Sequence, residues 1–208
     1  MPKVFIVSPD YGFPTIFKRA GWEVSSEINN ADMVQFTGGQ DINPALYGQK
    51  PHPSTYFSAE RDKREVSAYN FCKENAIPMA GVCRGAQLFT ALTGGHLWQD
   101  VDNHMGVGMH KVFDSTTGED WWCNSVHHQM MVPNKNAHII AYAKESSRRD
   151  YLQNGKIVTV LDDDPTDPEV VYFPEINSMG FQGHPEMGGY TLQKKYFDYI
   201  AKYMKLSA

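Results

Sequence analysis

The stretch Ile77-Pro78-Met79-Ala80-Gly81-Val82-Cys83-Arg84-Gly85-Ala86-Gln87, continuing through Thr93 to Gly94-Gly95, decides the fold. Ile77 to Val82 is a short apolar run of strand length, and Arg84 to Thr93 reads as a helix that the glycine pair stops. Cys83 is left at the junction, with glycines on either side of it at 81 and 85. A strand passing straight into a helix at such a junction lifts the intervening side chain above the sheet. It also forces that residue into a sparsely populated backbone region, at a cost of about 1–3 kcal/mol, while the glycines let neighbouring segments approach. The helix N-terminus beside Cys83 favours a thiolate. A small buried cysteine in a tight turn is the competing reading of this segment alone.

Working outward, Val4 to Val7 and Met33 to Thr37 read as buried strands, the first entering a loop at Ser8 to Gly12 and the second ending in Gly38-Gly39. Between Ala59 and Ala76, the residues Val66, Tyr69, Cys72 and Ala76 recur at helical spacing, with Arg61, Lys63, Arg64 and Glu65 on the other side. This order of elements predicts an open α/β sheet, mostly parallel, with helices on both faces and its site at the carboxyl ends of the strands. The second half reads as β-rich, with strands at 109–113, 138–143, 156–161 and 170–173. Asp162 to Glu169, acidic and proline-bearing, reads as a solvated loop, and a terminal helix carries Leu192, Tyr196, Tyr199, Ile200 and Tyr203 on one face.

The totals bound the function. At 208 residues, without an internal repeat or linker, the expectation is one domain spanning 1–208. A 41% hydrophobic and 21% charged composition is that of an ordinary globular protein. A net charge of −5 without a basic block argues against a nucleic-acid partner, and no apolar run is long enough to span a bilayer. The start of the chain lacks the pattern of a secretory signal, so a cytoplasmic location is expected. Three cysteines, Cys72, Cys83 and Cys123, are an odd number without metal-type spacing, which argues against a disulfide framework and structural zinc.

A partner for Cys83 stands far along the chain. Gly180-Phe181-Gln182-Gly183-His184-Pro185-Glu186 places a histidine before a stiffening proline, with a carboxylate two residues later. An extended backbone would set His184 and Glu186 on one side, close enough for the carboxylate to hold the imidazole tautomer. A histidine that merely hydrogen-bonds its own loop is the alternative.

The segments Gly81 to Gln87 and His184-Pro185-Glu186, in this order, resemble the class I glutamine amidotransferases and their γ-glutamyl hydrolase relatives. Gly38 to Gly48 resembles the GG-x-D-x-x-P-x-x-Y-G loop of the hydrolase branch, Asn124 to Gln129 its N-S-x-H-H-Q segment, and Arg61 to Glu65 its R-D-x-x-E helix start. The resemblance is to the peptidase C26 group and its γ-glutamyl-γ-aminobutyrate hydrolases. It implies a flavodoxin-like fold and a triad of Cys83, His184 and Glu186. It further implies that Gln87 and Ser125, Val126 and His127 help hold the glutamyl head group, beside Gly38, and that Gly39 faces the oxyanion. The first helical amide, of Arg84, is the natural second oxyanion donor. Gly183 stands where many members carry an aromatic residue, which implies a more open wall beside the imidazole.

His104, His110, His127 and His128 invite a metal reading, but adjacent histidines on a strand point to opposite faces and no carboxylate or cysteine pattern completes a site. No metal and no cofactor are expected. Trp121, Trp122 and Cys123 read as wall or core. The function expected is cysteine-dependent hydrolysis of the γ-glutamyl amide bond of glutamine or a small γ-glutamyl compound, through a glutamyl thioester. Two alternatives stand beside it: a glutaminase subunit delivering ammonia to a separate synthetase, and a thiol-bearing binding or redox-sensing module. A homodimer is left open.

Overall fold

The chain folds around the sheet edge that the Cys83 segment leads into. A computed structural model describes residues 1–8 and 11–206. Pro9 and Asp10, in the loop expected after the first strand, lie outside the described residues. In chain order the first strands are β1 (Lys3–Val7), β2 (Glu23–Ser25), β3 (Met33–Phe36), β4 (Met79–Val82), β5 (His96–Trp98) and β6 (Asp100–Val101). There follow β7 (Met105–Asp114), β8 (Glu119–Val126), β9 (Met130–Val132), β10 (His138–Ala143) and β11 (Arg148–Gln153). The last are β12 (Lys156–Leu161), β13 (Asp167–Phe173) and β14 (Ser178–Phe181). The α-helices are α1 (Phe13–Arg19), α2 (Ala59–Glu74), α3 (Arg84–Leu92) and α4 (Tyr190–Tyr199). None of the described helices is long and apolar enough to cross a membrane.

The main sheet has the order β2-β1-β3-β4-β14-β13-β10-β7-β8. From β2 to β14 the neighbours are parallel, and from β14 to β8 they are antiparallel. This is the expected open α/β sheet with a β-rich second half. β3, β4 and β14 are buried at every residue, as parallel strands covered on both faces must be. On one face α1 and α4 pack through Phe13, Phe17, Leu192 and Tyr196 against Val4, Met33, Val82 and Phe181. On the other, α2 and α3 pack through Tyr69, Cys72, Leu88 and Phe89 against Val34, Phe36, Met79 and Phe173. The one polar side chain inside β3, Gln35, donates to Phe36 O at 2.7 Å and accepts from the Tyr196 hydroxyl of α4.

Two expectations need correction. Arg61 and Glu65 do not lie on the side of α2 opposite Tyr69 and Cys72: at i, i+4, i+8 and i+11 the four share one buried stripe, with Asp62 buried beside it, while Lys63 and Arg64 are exposed. The cause is Arg84, fully buried at the start of α3, whose guanidinium donates to Asp62 Oδ1 at 2.5 Å and to Glu65. Arg61 donates to Glu65 Oε1 at 2.7 Å and to the Gly38 carbonyl at 2.7 Å, so two acids balance two bases. Burial pulls the Arg84 pKa down to about 10, which still leaves it cationic at neutral pH. The second correction concerns 162–169: Asp163 and Asp164 are exposed, but β13 begins at Asp167, and Asp167 and Glu169 are fully buried.

Removing one member of a buried charge network strands the others, typically at a cost of about 3–5 kcal/mol. Glu65→Ala is therefore expected to lower the urea unfolding free energy by about that amount. Exposed Lys63→Ala on the same helix should change it by less than about 0.5 kcal/mol. Equal losses in the two variants would assign the effect to helix propensity instead.

Candidate active site

Cys83 adopts φ 50° and ψ −105°, the left-handed half of backbone space that a residue with a Cβ enters only under constraint. The constraint is visible on both sides. Its N–H donates to Phe181 O of β14 at 2.8 Å, continuing the sheet, and its carbonyl accepts from Gln87 N at 3.0 Å, opening α3. A Cβ added at Gly81 would lie 2.5 Å from Gly85 C, and one at Gly85 would lie 2.8 Å from Phe36 O, so the elbow closes only with glycine at both positions. The thiol, 6% exposed, stands at the N-terminal amides of α3.

His184 arrives from the end of β14, the strand next to β4, which is why residues so far apart in sequence meet. Its Nδ1 is 2.6 Å from Glu186 Oε1. The pairing does not arise from an extended segment, as the sequence suggested: Pro185–Met187 is a 3-10 turn that swings the carboxylate back onto the ring. Burial pushes the imidazole pKa down, but hydrogen bonds to the Cys83 sulfur and to Glu186 outweigh it and raise the value to about 10. Gly38 closes the other side, since a Cβ there would lie 2.5 Å from His184 Cε1.

Asn124 of β8 was quoted in a motif without a role, and the structure gives it one. Its Oδ1 accepts from His184 N at 2.7 Å and its Nδ2 donates to His184 O at 2.9 Å, so both ends of the amide clamp the histidine backbone. Nor is the wall beside the imidazole more open for want of an aromatic residue at 183. Cys123 Sγ fills that space, only 2.1 Å from where a Gly183 Cβ would stand. Cys123 is core, and Trp121 stacks on Phe181 at 5.7 Å, whereas Trp122 is exposed.

A cleft of about 230 Å³ opens beside the thiol. Gly39, Cys83, Gln87, Val126 and His127 line it, with Asp41 and His128 on the same wall. Gly39 has φ 126° and Gln87 Nε2 donates to Gln129 O at 3.2 Å. Gly38, Arg84 and Ser125 are not on the lining. Arg84 contributes only its backbone N–H, in the unpaired first turn of α3, and the Ser125 hydroxyl turns inward to donate to His104 O at 2.7 Å. Asp41 and His128 went unnoticed as a pair; His128 Nε2 is 3.2 Å from Asp41 Oδ1, and that bond raises the imidazole pKa. A larger groove of about 390 Å³, lined by Ile16, Arg19 and Phe197, lies away from the thiol.

The family model for peptidase C26 matches residues 10–149, more than half of the chain. The chain belongs to the peptidase C26 family. His184 and Glu186 lie beyond the matched residues. This C26 member is glutamine amidotransferase-like. It is 32% identical over 120 residues to the glutamine amidotransferase-like protein YvdE homolog of Lactococcus lactis subsp. cremoris, covering 48% of this chain and 63% of that protein. It is 37% identical over 94 residues to the gamma-glutamyl-CDP-amidate hydrolase of Campylobacter jejuni, covering 45% of this chain and 41% of that protein. The alignments thus span less than two thirds of either relative. The crystal structure of a glutamine amidotransferase from Thermotoga maritima superposes with a TM-score of 0.62 at 12% identity, over 99% of this chain and 84% of that one, which shows a shared fold.

The raised imidazole pKa has a signed consequence. Its contribution to stability is fully present below about 6.5, the ordinary imidazole value, and is lost as pH rises through about 10. In an NMR titration His184 should remain protonated through neutral pH, and Cys83→Ala should move its midpoint toward the ordinary value. A midpoint near 6.5 in the unmodified protein would contradict the thiol–imidazole pairing.

Proposed function

We propose that this C26 protein hydrolyses the γ-glutamyl amide bond of glutamine or a small γ-glutamyl compound through a thioester on Cys83. The observation that carries the reading is a thiol on a strained elbow and an imidazole braced by Glu186 at 2.6 Å, both packed against Gly38, with the thiol opening on a cleft. The hydrolase named among its relatives acts, by its name, on a γ-glutamyl compound, which supports the same reading.

The proposed steps use these groups in turn. Cys83 thiolate attacks the amide carbon, and the N–H groups of Gly39 and Arg84 receive the negative oxygen, each worth on the order of 3 kcal/mol of barrier. His184 gives its proton to the departing amine, and Glu186 keeps the ring oriented while its charge changes. Water, deprotonated by the now neutral His184, adds to the thioester carbon; the thiolate leaves and a glutamyl carboxylate is released. Gln87, Val126 and His127 form the pocket for the glutamyl group. The Asp41–His128 pair offers a carboxylate and an imidazole to a head group that carries both an ammonium and a carboxylate.

Cys83→Ala should lower kcat by at least about 1,000-fold against a panel of γ-glutamyl amides and glutamine, with the circular dichroism spectrum unchanged. Amide hydrolysis retained in that variant would remove the nucleophile assignment. If glutamine alone turns over, and faster with a synthetase present, the protein is an ammonia donor rather than a free-standing hydrolase. Asn124→Ala, which frees the His184 backbone, should cost about 10- to 100-fold in kcat with KM little changed. Asn124→Asp, which keeps one of the two hydrogen bonds, should fall between; a pure KM effect would mean that Asn124 serves the pocket instead.

A further inference from the structure

Behind the cleft wall, strands distant in sequence bring buried ligating groups to one point. His104 precedes β7, His110 lies on β7 and Glu169 lies on β13; they are 0%, 4% and 0% exposed. One ligand atom from each lies within 4.8 Å of the others. Glu169 Oε1 is 3.2 Å from His110 Nε2, 3.8 Å from His104 Nδ1 and 3.9 Å from His127 Nε2. None of these approaches has hydrogen-bond geometry. Among the described residues, both carboxylate oxygens of Glu169 and both ring nitrogens of His110 lack a hydrogen-bond partner. A carboxylate so deeply buried without a hydrogen bond requires a cation close by, either the His110 ring 3.2 Å away or a bound ion.

The surrounding contacts determine what faces the carboxylate. His104 Nε2 is 3.2 Å from Asp167 Oδ2, a carboxylate that also accepts from Arg149 at 2.8 Å, and His127 Nδ1 is 3.0 Å from Gln129 O. Both neighbours are acceptors, so these two outer nitrogens carry the ring protons. The inner nitrogens, His104 Nδ1 and His127 Nε2, then turn lone pairs toward Glu169. Ser125 Oγ is hydrogen-bonded to both, at 3.1 and 3.2 Å, and to His104 O at 2.7 Å, so its single proton serves only one of the three. His104 Nδ1, His110 Nε2 and Glu169 thus meet in a dry interior.

We propose that this cluster binds a divalent transition metal of the zinc type through His104 Nδ1, His110 Nε2 and Glu169. Zinc–nitrogen and zinc–oxygen distances of about 2.0–2.2 Å place ligand atoms roughly 3.4 Å apart, and the separations from Glu169 to His110 and His104, 3.2 and 3.8 Å, bracket that value. An acceptor on the outer nitrogen of a ligating histidine is the usual arrangement around such ions, and His104 has one in Asp167. All three ligands are buried, so the ion is structural. It ties β13 to β7 and to the segment that precedes β7. The sequence argued against a metal because no carboxylate stood near the histidines, and Glu169 arrives from a strand much later in the chain.

The test uses the full chain with Cys83→Ala as background, so that the reactive thiol holds no metal. Protein produced with zinc in the medium, then desalted through chelator, should retain about one zinc per chain by mass spectrometry. Replacing zinc with cobalt during refolding should give the intense visible bands of a four-coordinate ion. Adding His110→Ala and Glu169→Gln together should abolish retention. If that variant does not fold, the melting temperature of the Cys83→Ala protein refolded with and without zinc decides, and a rise with zinc is expected. Zinc-free protein whose melting temperature ignores zinc would overturn the proposal, as would zinc retained in the folded double variant. The first result would leave His110 as a buried imidazolium facing Glu169.

Discussion

Three neighbouring parallel strands, β3, β4 and β14, must end at one edge of the sheet, and everything else about the site depends on that constraint. The register pairs Phe36 with Gly81 and Phe181 with Val82, so the next residues of the three chains emerge side by side. They are the glycine loop at 38 and 39, Cys83, and the turn that carries His184. A slip of one residue in either pairing would turn each of these groups to the opposite face of the sheet. The strain at Cys83 is held by the same register, because the hydrogen bond from its N–H to Phe181 O belongs to the sheet ladder.

A layer of charge lies under this edge. Arg61 grips the Gly38 carbonyl while sharing Glu65 with Arg84, which starts the helix behind Cys83. The two backbone segments bearing the candidate oxyanion donors are therefore linked through one buried network rather than fixed separately. Buried ion pairs are a doubtful source of stability, since desolvation offsets much of their attraction. Their contribution here is geometric. They hold a glycine loop in place, and such a loop would otherwise be free to move.

The sequence made the strands, the elbow and the Cys83–His184–Glu186 grouping legible, because glycine, proline and apolar runs mark those features locally. What it hid depends on contacts between distant segments. Helical spacing at i, i+4, i+8 and i+11 puts Arg61 and Glu65 on the same stripe as Tyr69 and Cys72, but spacing does not tell that this stripe meets a buried arginine. Asp167 and Glu169 sat in an acidic, proline-bearing run that reads as loop, and only the pairing of that end of β13 with β10 makes it strand. Asn124 was visible as a letter in a motif. Its function as a clamp required knowing that β8 passes under the His184 turn.

The hairpin of β7 and β8 carries a consequence for how this protein can change. Asn124 on its second strand grips the turn that carries His184, while Val126 and His127, immediately after, form part of the cleft wall. The surface that would hold the glutamyl group and the anchor that would align the proton donor therefore share one short stretch of backbone. Remodelling that stretch to accept a different molecule risks disturbing turnover at the same time, so new specificities should be more accessible through the separate segment bearing Ser54 and Tyr56, which faces the same cleft.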